Sequence, residues 1–198
     1  MANQPLLLLL LLLSITTTLS HAVTVPSTTT FISEKCSATQ YASLCVSSLS
    51  AYAAKINRNS EVLAQTALSV SLQRAQSAKA FVDRLSRARS LGHREAAALR
   101  DCVEEMDDMV DRLSKSAGEL QRAGRVGRAR YEEFVWHMSN VQTWVSAALT
   151  DDSTCVDEFG PGRAMNGRVK SSVRAQVDGV VHYTSNALAL INQYANKH

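Results

Sequence analysis

Apolar residues recur every three or four positions along most of the chain, and this spacing constrains the fold more than any other feature. Four such stripes run from Leu63 to Leu85, from Cys102 to Leu120, from Phe134 to Leu149 and from Val169 to Ala195. A period near 3.6 residues places these positions on one helix face, which must pack against other elements. We therefore predict an all-α fold, an up-and-down four-helix bundle.

Glycines, a proline and acidic residues indicate where the helices end. The 198 residues contain only 8 Gly and 3 Pro, too few for the many turns of a β-sandwich or barrel. Ser60 is the predicted N-cap of the first long helix, and the next two are expected to begin near Arg94 and Tyr131. The predicted helix ends and breaks are Gly92, Gly124 with Gly127, Asp151 with Asp152, and the loop 160–162.

The first 22 residues have the features of a secretory signal. Leu6 to Leu13 are eight consecutive leucines, a run too short for a membrane span, which needs about 20 apolar residues. Small residues at Ser20 and Ala22 predict cleavage after Ala22, a signal peptide over 1–22 and a secreted mature domain over 23–198. Because no Lys or Arg precedes the leucines, an uncleaved anchor is the alternative.

The even number of cysteines is consistent with secretion. Cys36, Cys45, Cys102 and Cys155 allow two disulfides in three connectivities. Between Phe31 and Tyr52 the apolar pattern is short and interrupted, which predicts two small helices around the first two cysteines. A local bridge joining those helices is compatible with this spacing, and Cys102 would then pair with Cys155 across a long loop.

The sequence lacks the motifs of common catalytic and metal sites. It contains no HExxH, no GxSxG and no glycine-rich phosphate loop. No CxxC pair occurs, and no histidine lies at ligand spacing from a cysteine. We therefore predict a protein that is not an enzyme and that binds neither a metal nor a cofactor.

Acidic residues are concentrated in the first half of the second long helix. Several lie three or four residues apart and share a face, where like charges repel. The stretch is either a solubilising face, partly neutralised by Arg100 and Arg112, or a docking face for a partner. Its members are Glu95, Asp101, Glu104, Glu105, Asp107, Asp108 and Asp111.

A run of arginines follows the acidic stretch. The net charge of +3 is too small to indicate a nucleic-acid-binding protein, and secretion removes that partner. The run is either a mobile basic loop that contacts an anionic wall polysaccharide weakly or a solvated linker. It consists of Arg122, Arg125, Arg128 and Arg130, with Gly124 and Gly127 between them.

The motifs around the cysteines resemble the plant invertase/pectin methylesterase inhibitor family, and most closely its small secreted pectin methylesterase inhibitors. These motifs are Cys36-x8-Cys45, Asp101-Cys102-x-Glu104, and the sequence TWVSAALT over 143–150 leading to Thr154-Cys155-x-Asp157. The resemblance covers essentially the whole mature chain. It implies a four-helix bundle with an N-terminal helical hairpin, and disulfides Cys36–Cys45 and Cys102–Cys155.

The resemblance also implies a function and a set of contacts. It implies that the protein binds a pectin methylesterase one-to-one in the plant cell wall, the apoplast, and blocks the pectin-binding cleft of the enzyme. The corresponding contact residues here are Glu104, Asp108, Asp111, Thr154 and Asp157. The interval from Cys102 to Cys155 is longer than in the compact members, and this could extend or obstruct the docking surface.

Two other functions compete with this one. Family members that inhibit acid invertase carry a Pro-Lys-Phe motif, and the prolines here, Pro5, Pro26 and Pro161, do not form one. The absence of the motif favours the esterase over the invertase as target. A non-inhibitory helical bundle that binds the wall through its arginines is the remaining alternative.

Overall fold

The computed structural model describes residues 27–126, 130–159 and 167–197. All regular structure in these ranges is helical, as the sequence predicts. The predicted signal peptide, Gly127, Arg128 and the predicted loop over 160–162 lie outside the described residues. No helix in the described ranges is long and apolar enough to cross a membrane.

Three short helices form the N-terminal part of the described chain. They are α1 (Thr28–Cys36), α2 (Ala42–Leu49) and α3 (Ala53–Ile56), and a 3-10 turn over Ser50–Tyr52 joins the last two. The first helix begins three residues earlier than Phe31, because the Ser27 side chain accepts a hydrogen bond from the Thr30 amide at 3.2 Å and caps it. Positive φ angles at Asn57 and Arg58 then end the segment.

Four long helices follow, with bounds α4 (Ser60–Ser86), α5 (His93–Val126), α6 (Tyr131–Asp157) and α7 (Gly167–Ala195). The prediction that Ser60 caps α4 is wrong by one residue, because the Asn59 side chain accepts from the Glu61 and Val62 amides. Gly92 does not end α4. It precedes α5, where its amide donates to the Glu95 carboxylate at 3.0 Å in a capping interaction.

Two predicted helix breaks are absent. Gly124 lies inside α5, where a Cβ would overlap the Glu61 carboxylate, so the glycine gives α4 room to approach. Asp151 and Asp152 do not end α6, and Cys155 lies in the helix rather than in a turn. Both aspartates are buried, so packing against the bundle overrides their weak helix propensity.

The long helices form an antiparallel ring. Each packs against the next along the chain, and α7 packs back against α4. Contacts between opposite ends show the direction: Phe134 near the start of α6 meets Tyr194 near the end of α7, with ring centroids 5.7 Å apart. The enclosed core consists mostly of aliphatic side chains such as Leu99, together with methionines such as Met106 and Met109. This is the predicted up-and-down bundle.

The N-terminal hairpin rests on the α4–α7 edge of the ring. Ile32, Leu49 and Ile56 bury against Leu63 of α4 and Leu190 of α7 in a second apolar cluster. The hairpin and the α5–α6 edge therefore lie on opposite sides of the bundle.

Polar contacts fix the hairpin in this place. The buried Asn186 side chain of α7 accepts from the Tyr41 amide at 3.1 Å and donates to the Tyr41 carbonyl at 3.0 Å. Gln193 of the same helix donates to the Lys35 carbonyl at 3.0 Å. The Asn186 side chain thus gives the Tyr41 amide an acceptor and adds a second bond to the Tyr41 carbonyl, which also accepts from the Cys45 amide at 2.9 Å.

Each disulfide joins consecutive cysteines. Cys36–Cys45 joins α1 to α2, and Cys102–Cys155 joins the first third of α5 to the last turn of α6. This is the pairing that the resemblance implied. All four cysteines are buried, so both bridges lie inside apolar clusters.

Candidate partner-binding face

The five residues predicted to contact a partner lie at one end of the α5–α6 edge. Glu104, Asp108 and Asp111 occupy successive turns of α5, and Thr154 and Asp157 occupy the last turn of α6. All five are exposed. The Cys102–Cys155 bridge, with a Cα–Cα distance of 4.4 Å, holds the two helices together within two residues of Glu104, Thr154 and Asp157. We call this set the acidic face.

Two carboxylates of the acidic face already have cationic partners. Asp108 lies 3.5 Å from Arg112, and Asp111 lies 2.5 Å from Lys115, each pair spaced four residues apart on α5. The neutralisation by Arg112 expected from the sequence is thus present. Exposed pairs of this kind contribute about 0–1 kcal/mol, so a binding partner can replace them at small cost.

Arg112 also reaches beneath the acidic face. Its Nε lies 2.8 Å from Oδ2 of Asp151, whose side chain is only 8% exposed. The N–H bond is not aligned with that oxygen, so the contact is an ion pair without a well-formed hydrogen bond. Burial raises the pKa of Asp151 even though the guanidinium of Arg112 opposes this effect. Arg112 therefore connects the exposed carboxylates to a buried one.

Glu105 lies beside this network. Partial burial raises the pKa of Glu105, and the neighbouring charges of Asp151 and Asp108 raise it further. A proton is thus held more easily at this part of the face than at an isolated glutamate.

Asp152 is a buried carboxylic acid at a position where the sequence predicted a helix end. It is completely buried, and neither carboxylate oxygen has a hydrogen-bond partner. Burial raises the pKa of Asp152 to about 8, and the charges of Asp178 on α7 and of Asp151 act in the same direction. The carboxyl is therefore neutral in acid, because no group compensates for a buried charge.

A buried network connects α5 to α6 near the other end of the same edge. His137 Nδ1 and Arg122 both contact the Glu119 carboxylate, and His137 and Glu119 are buried. Burial raises the pKa of Glu119, but the hydrogen bond from His137 and the charge of Arg122 outweigh it and hold the pKa below its ordinary value. No sequence motif indicates this network, because His137 and Glu119 are 18 residues apart in sequence and lie on different helices.

Two members of the arginine run lie in a helix rather than in the loop or linker that the sequence suggested. Arg122 and Arg125 belong to the last turns of α5, and Arg130 lies at the start of α6. Arg122 pairs with Glu119, and Arg130 pairs with Glu133 at 2.8 Å. This pairing lowers the positive charge available to an anionic polysaccharide.

No metal site is apparent in the part of the chain that the structure describes. Among those residues no group of three His, Cys, Asp or Glu side chains could hold an ion. The exposed carboxylates and hydroxyl of the acidic face are groups that can form charge pairs and hydrogen bonds.

Comparisons with known proteins identify close relatives. The family model described as plant invertase/pectin methylesterase inhibitor matches residues 30–190. The chain is 53% identical over 169 residues to pectinesterase inhibitor 9 of Arabidopsis thaliana, covering 84% of this chain and 81% of that protein. It is 49% identical over 168 residues to a 21 kDa protein of Daucus carota, covering 85% of each.

A solved structure shares the fold. The crystal structure of a mutant form of a pectin methylesterase inhibitor from Arabidopsis superposes with a TM-score of 0.63. The match covers 81% of this chain and 95% of that one, at 22% sequence identity. The helical bundle seen here is therefore one already known from crystallography.

Proposed function

Because the chain belongs to the plant invertase/pectin methylesterase inhibitor family, we propose that it inhibits a pectin methylesterase through the acidic face. The mature protein, residues 23–198 after removal of a signal peptide, would form a one-to-one complex in the apoplast and cover the pectin-binding cleft of the enzyme. Similarity to a protein named pectinesterase inhibitor 9 supports this choice of target.

The observation that carries the proposal is the construction of the acidic face. Its polar side chains are exposed, lie on two helices rather than on loops, and flank a buried disulfide. A surface built on rigid elements loses little conformational entropy when it docks. Its charges would set orientation and association rate more than affinity.

The exposed ion pairs of the acidic face could be exchanged for ion pairs with the enzyme. Asp108 and Asp111 would leave Arg112 and Lys115 for donors on the enzyme, while Arg112 keeps its second contact with the buried Asp151. Binding would thus leave the buried Asp151 carboxylate paired with Arg112.

The test titrates purified mature protein against a plant pectin methylesterase and an acid invertase in parallel. We expect inhibition of the esterase, and a rise of at least about tenfold in its inhibition constant for the charge-reversal variant Asp108→Lys/Asp111→Lys. The matched control is Asp83→Lys, because Asp83 is also paired with an arginine four residues later, Arg87, but lies on α4.

Three outcomes would contradict the proposal. Equal inhibition by the wild type and the double variant would remove the acidic face from the interface. Inhibition of the invertase alone would support the alternative target. Inhibition of neither enzyme would support a bundle that is not an inhibitor.

A further inference from the structure

An open groove lies on the side of the bundle opposite the acidic face. It runs between the hairpin and the α4–α7 edge and has a volume of about 370 Å³, within the range of small-ligand sites. Its lining contains hydroxyl groups, two phenol rings, one amide and one guanidinium, contributed by Ser47, Ser48, Tyr52, Val70, Gln73, Arg74, Ser77 and Tyr183.

Arg74 is the charged group of this groove. Its guanidinium carbon lies 5.0 Å from the centroid of the Tyr183 ring, a stacking distance that holds the side chain over the aromatic face. Among the residues that the structure describes, no ion pair is found for Arg74, and no carboxylate lines the groove. Arg74 thus differs from Arg122 and Arg130, which are paired with glutamates.

The rings and hydroxyls around Arg74 are held in place. Tyr52 and Tyr183 pack against the apolar cluster that joins the hairpin to α4 and α7. The hydroxyls of Ser47, Ser48 and Ser77 donate to backbone carbonyls of their own helices at 2.9–3.1 Å. Their oxygen lone pairs therefore remain available to accept hydrogen bonds from a ligand.

These groups select one kind of ligand. A single unpaired guanidinium matches one carboxylate, which it can bind in a bidentate manner. Serine oxygens and the Gln73 amide suit the hydroxyls of a sugar ring, and tyrosine rings offer a flat apolar surface. A phosphate, with its greater charge, would require more cations than the groove contains.

We propose that this groove binds an acidic polysaccharide through one of its uronate residues, with Arg74 contacting the carboxylate. Because the hairpin side and the α5–α6 edge are opposite, the polysaccharide and the enzyme of the proposed function would bind at the same time. The protein would then be retained on the polymer while its other face stays free.

The test measures binding of a short oligogalacturonate by calorimetry and by intrinsic fluorescence, with the methyl-esterified form of the same oligosaccharide as matched ligand. We expect the free acid to bind at least about tenfold more tightly than the ester, because only the free acid offers a carboxylate to Arg74.

Variants locate the site. Arg74→Gln should weaken binding of the free acid by at least about tenfold. Ser77→Asp, one turn along the same helix face, should weaken it by placing a competing carboxylate in the groove. The matched control Arg84→Gln removes another exposed arginine of α4 that does not line the groove, and it should bind as the wild type does.

Equal affinity of Arg74→Gln and wild type, or equal affinity for acid and ester, would overturn the proposal. So would the absence of measurable binding of the free acid by a wild-type protein whose circular dichroism shows it folded. Association with the esterase is measured separately, by a surface method without polysaccharide, and should be unchanged in Arg74→Gln. Failure of the proposed function is thus distinguishable from failure of this site.

Discussion

At the scale of single residues, Asp152 gives the protein a pH-dependent stability. Burial raises its pKa to about 8 in the folded protein, whereas in the unfolded chain we expect the ordinary aspartate pKa of 3.8. A pKa raised by folding means that the stabilising contribution is complete below about pH 4 and is lost as the pH rises toward about 8. Asp152 therefore favours the folded state in acid.

We expect Asp152→Asn to flatten this profile. Between about pH 4.5 and about pH 7, Asp152 ionises in the unfolded chain but stays protonated in the folded protein, which should lower the unfolding free energy of the wild type by roughly 3 kcal/mol. The amide introduced by Asp152→Asn does not ionise in either state, so the variant lacks this loss. Urea unfolding at both pH values measures the difference. The control Asp101→Asn, at an exposed position on α5, should keep the wild-type slope, and an unchanged slope in Asp152→Asn would contradict the assignment.

The burial of Asp152 could have been anticipated from its position, although its environment could not. Val141, Val145, Ala148, Asp152 and Cys155 follow one another at spacings of four and three, so Asp152 continues the apolar stripe of α6. The two consecutive aspartates predicted a helix end at Asp151 and Asp152, and this prediction was wrong because α6 continues to Asp157. The lack of a partner depends on which side chains of α7 face it, and no local pattern contains that information.

At the scale of helices, the glycines inside α5 and α7 have different roles. A Cβ at Gly179 would meet nothing within 4 Å, whereas one at Gly124 would overlap the Glu61 carboxylate. Gly179→Ala should therefore raise the unfolding free energy by up to about 1 kcal/mol through helix propensity. Gly124→Ala should gain less, because Glu61 must move, and a gain as large as that of Gly179→Ala in chemical denaturation would contradict this account.

The two disulfides should differ in their contribution to stability. They span 9 and 53 residues of sequence, and in the chain-entropy model the longer loop stabilises more, by about 1.5 kcal/mol. Cys102→Ala/Cys155→Ala should thus melt at a lower temperature than Cys36→Ala/Cys45→Ala. Calorimetry of both double variants makes the comparison, and equal melting temperatures would count against the ordering.

Helix existence was easier to predict than helix ends. The stripes placed all four long helices, because burial of an apolar face depends on spacing that is visible in the sequence. The helix ends depend on single capping contacts, such as the hydrogen bond from the Glu61 amide to the Asn59 side chain. They also depend on tertiary packing, which keeps Asp151 and Asp152 helical within α6. The exposure of Glu104, Asp108 and Asp111 followed from their spacing, whereas their ion pairs with Arg112 and Lys115 depend on rotamers.

At the scale of the whole molecule, the hairpin and the acidic face are separate units of the bundle. Asn186→Ala removes both hydrogen bonds to Tyr41 and leaves the half-buried Tyr41 amide without its side-chain acceptor, while the Tyr41 carbonyl keeps the bond from the Cys45 amide; the loss should cost about 1–3 kcal/mol. Inhibition should be unchanged, since the acidic face lies on the opposite edge. Thermal unfolding and the inhibition constant are measured together.

Ser185→Ala provides the matched control for this separation. Ser185 precedes Asn186 on α7 and makes only an exposed contact with Gln40 at 3.2 Å, so its loss should change stability little. A lower affinity for the enzyme in Asn186→Ala, at a temperature where that variant is folded, would show that the hairpin influences the acidic face.

The pairing of consecutive cysteines also bears on how the chain matures during synthesis. Cys36 and Cys45 leave the ribosome before Cys102, and their separation of 9 residues gives each a high effective concentration toward the other. Oxidation in order of emergence therefore yields the native bridges without reshuffling. The closed hairpin can pack in its native place only after α7 is translated, because α7 follows the other described helices and contributes side chains to the surface that the hairpin contacts.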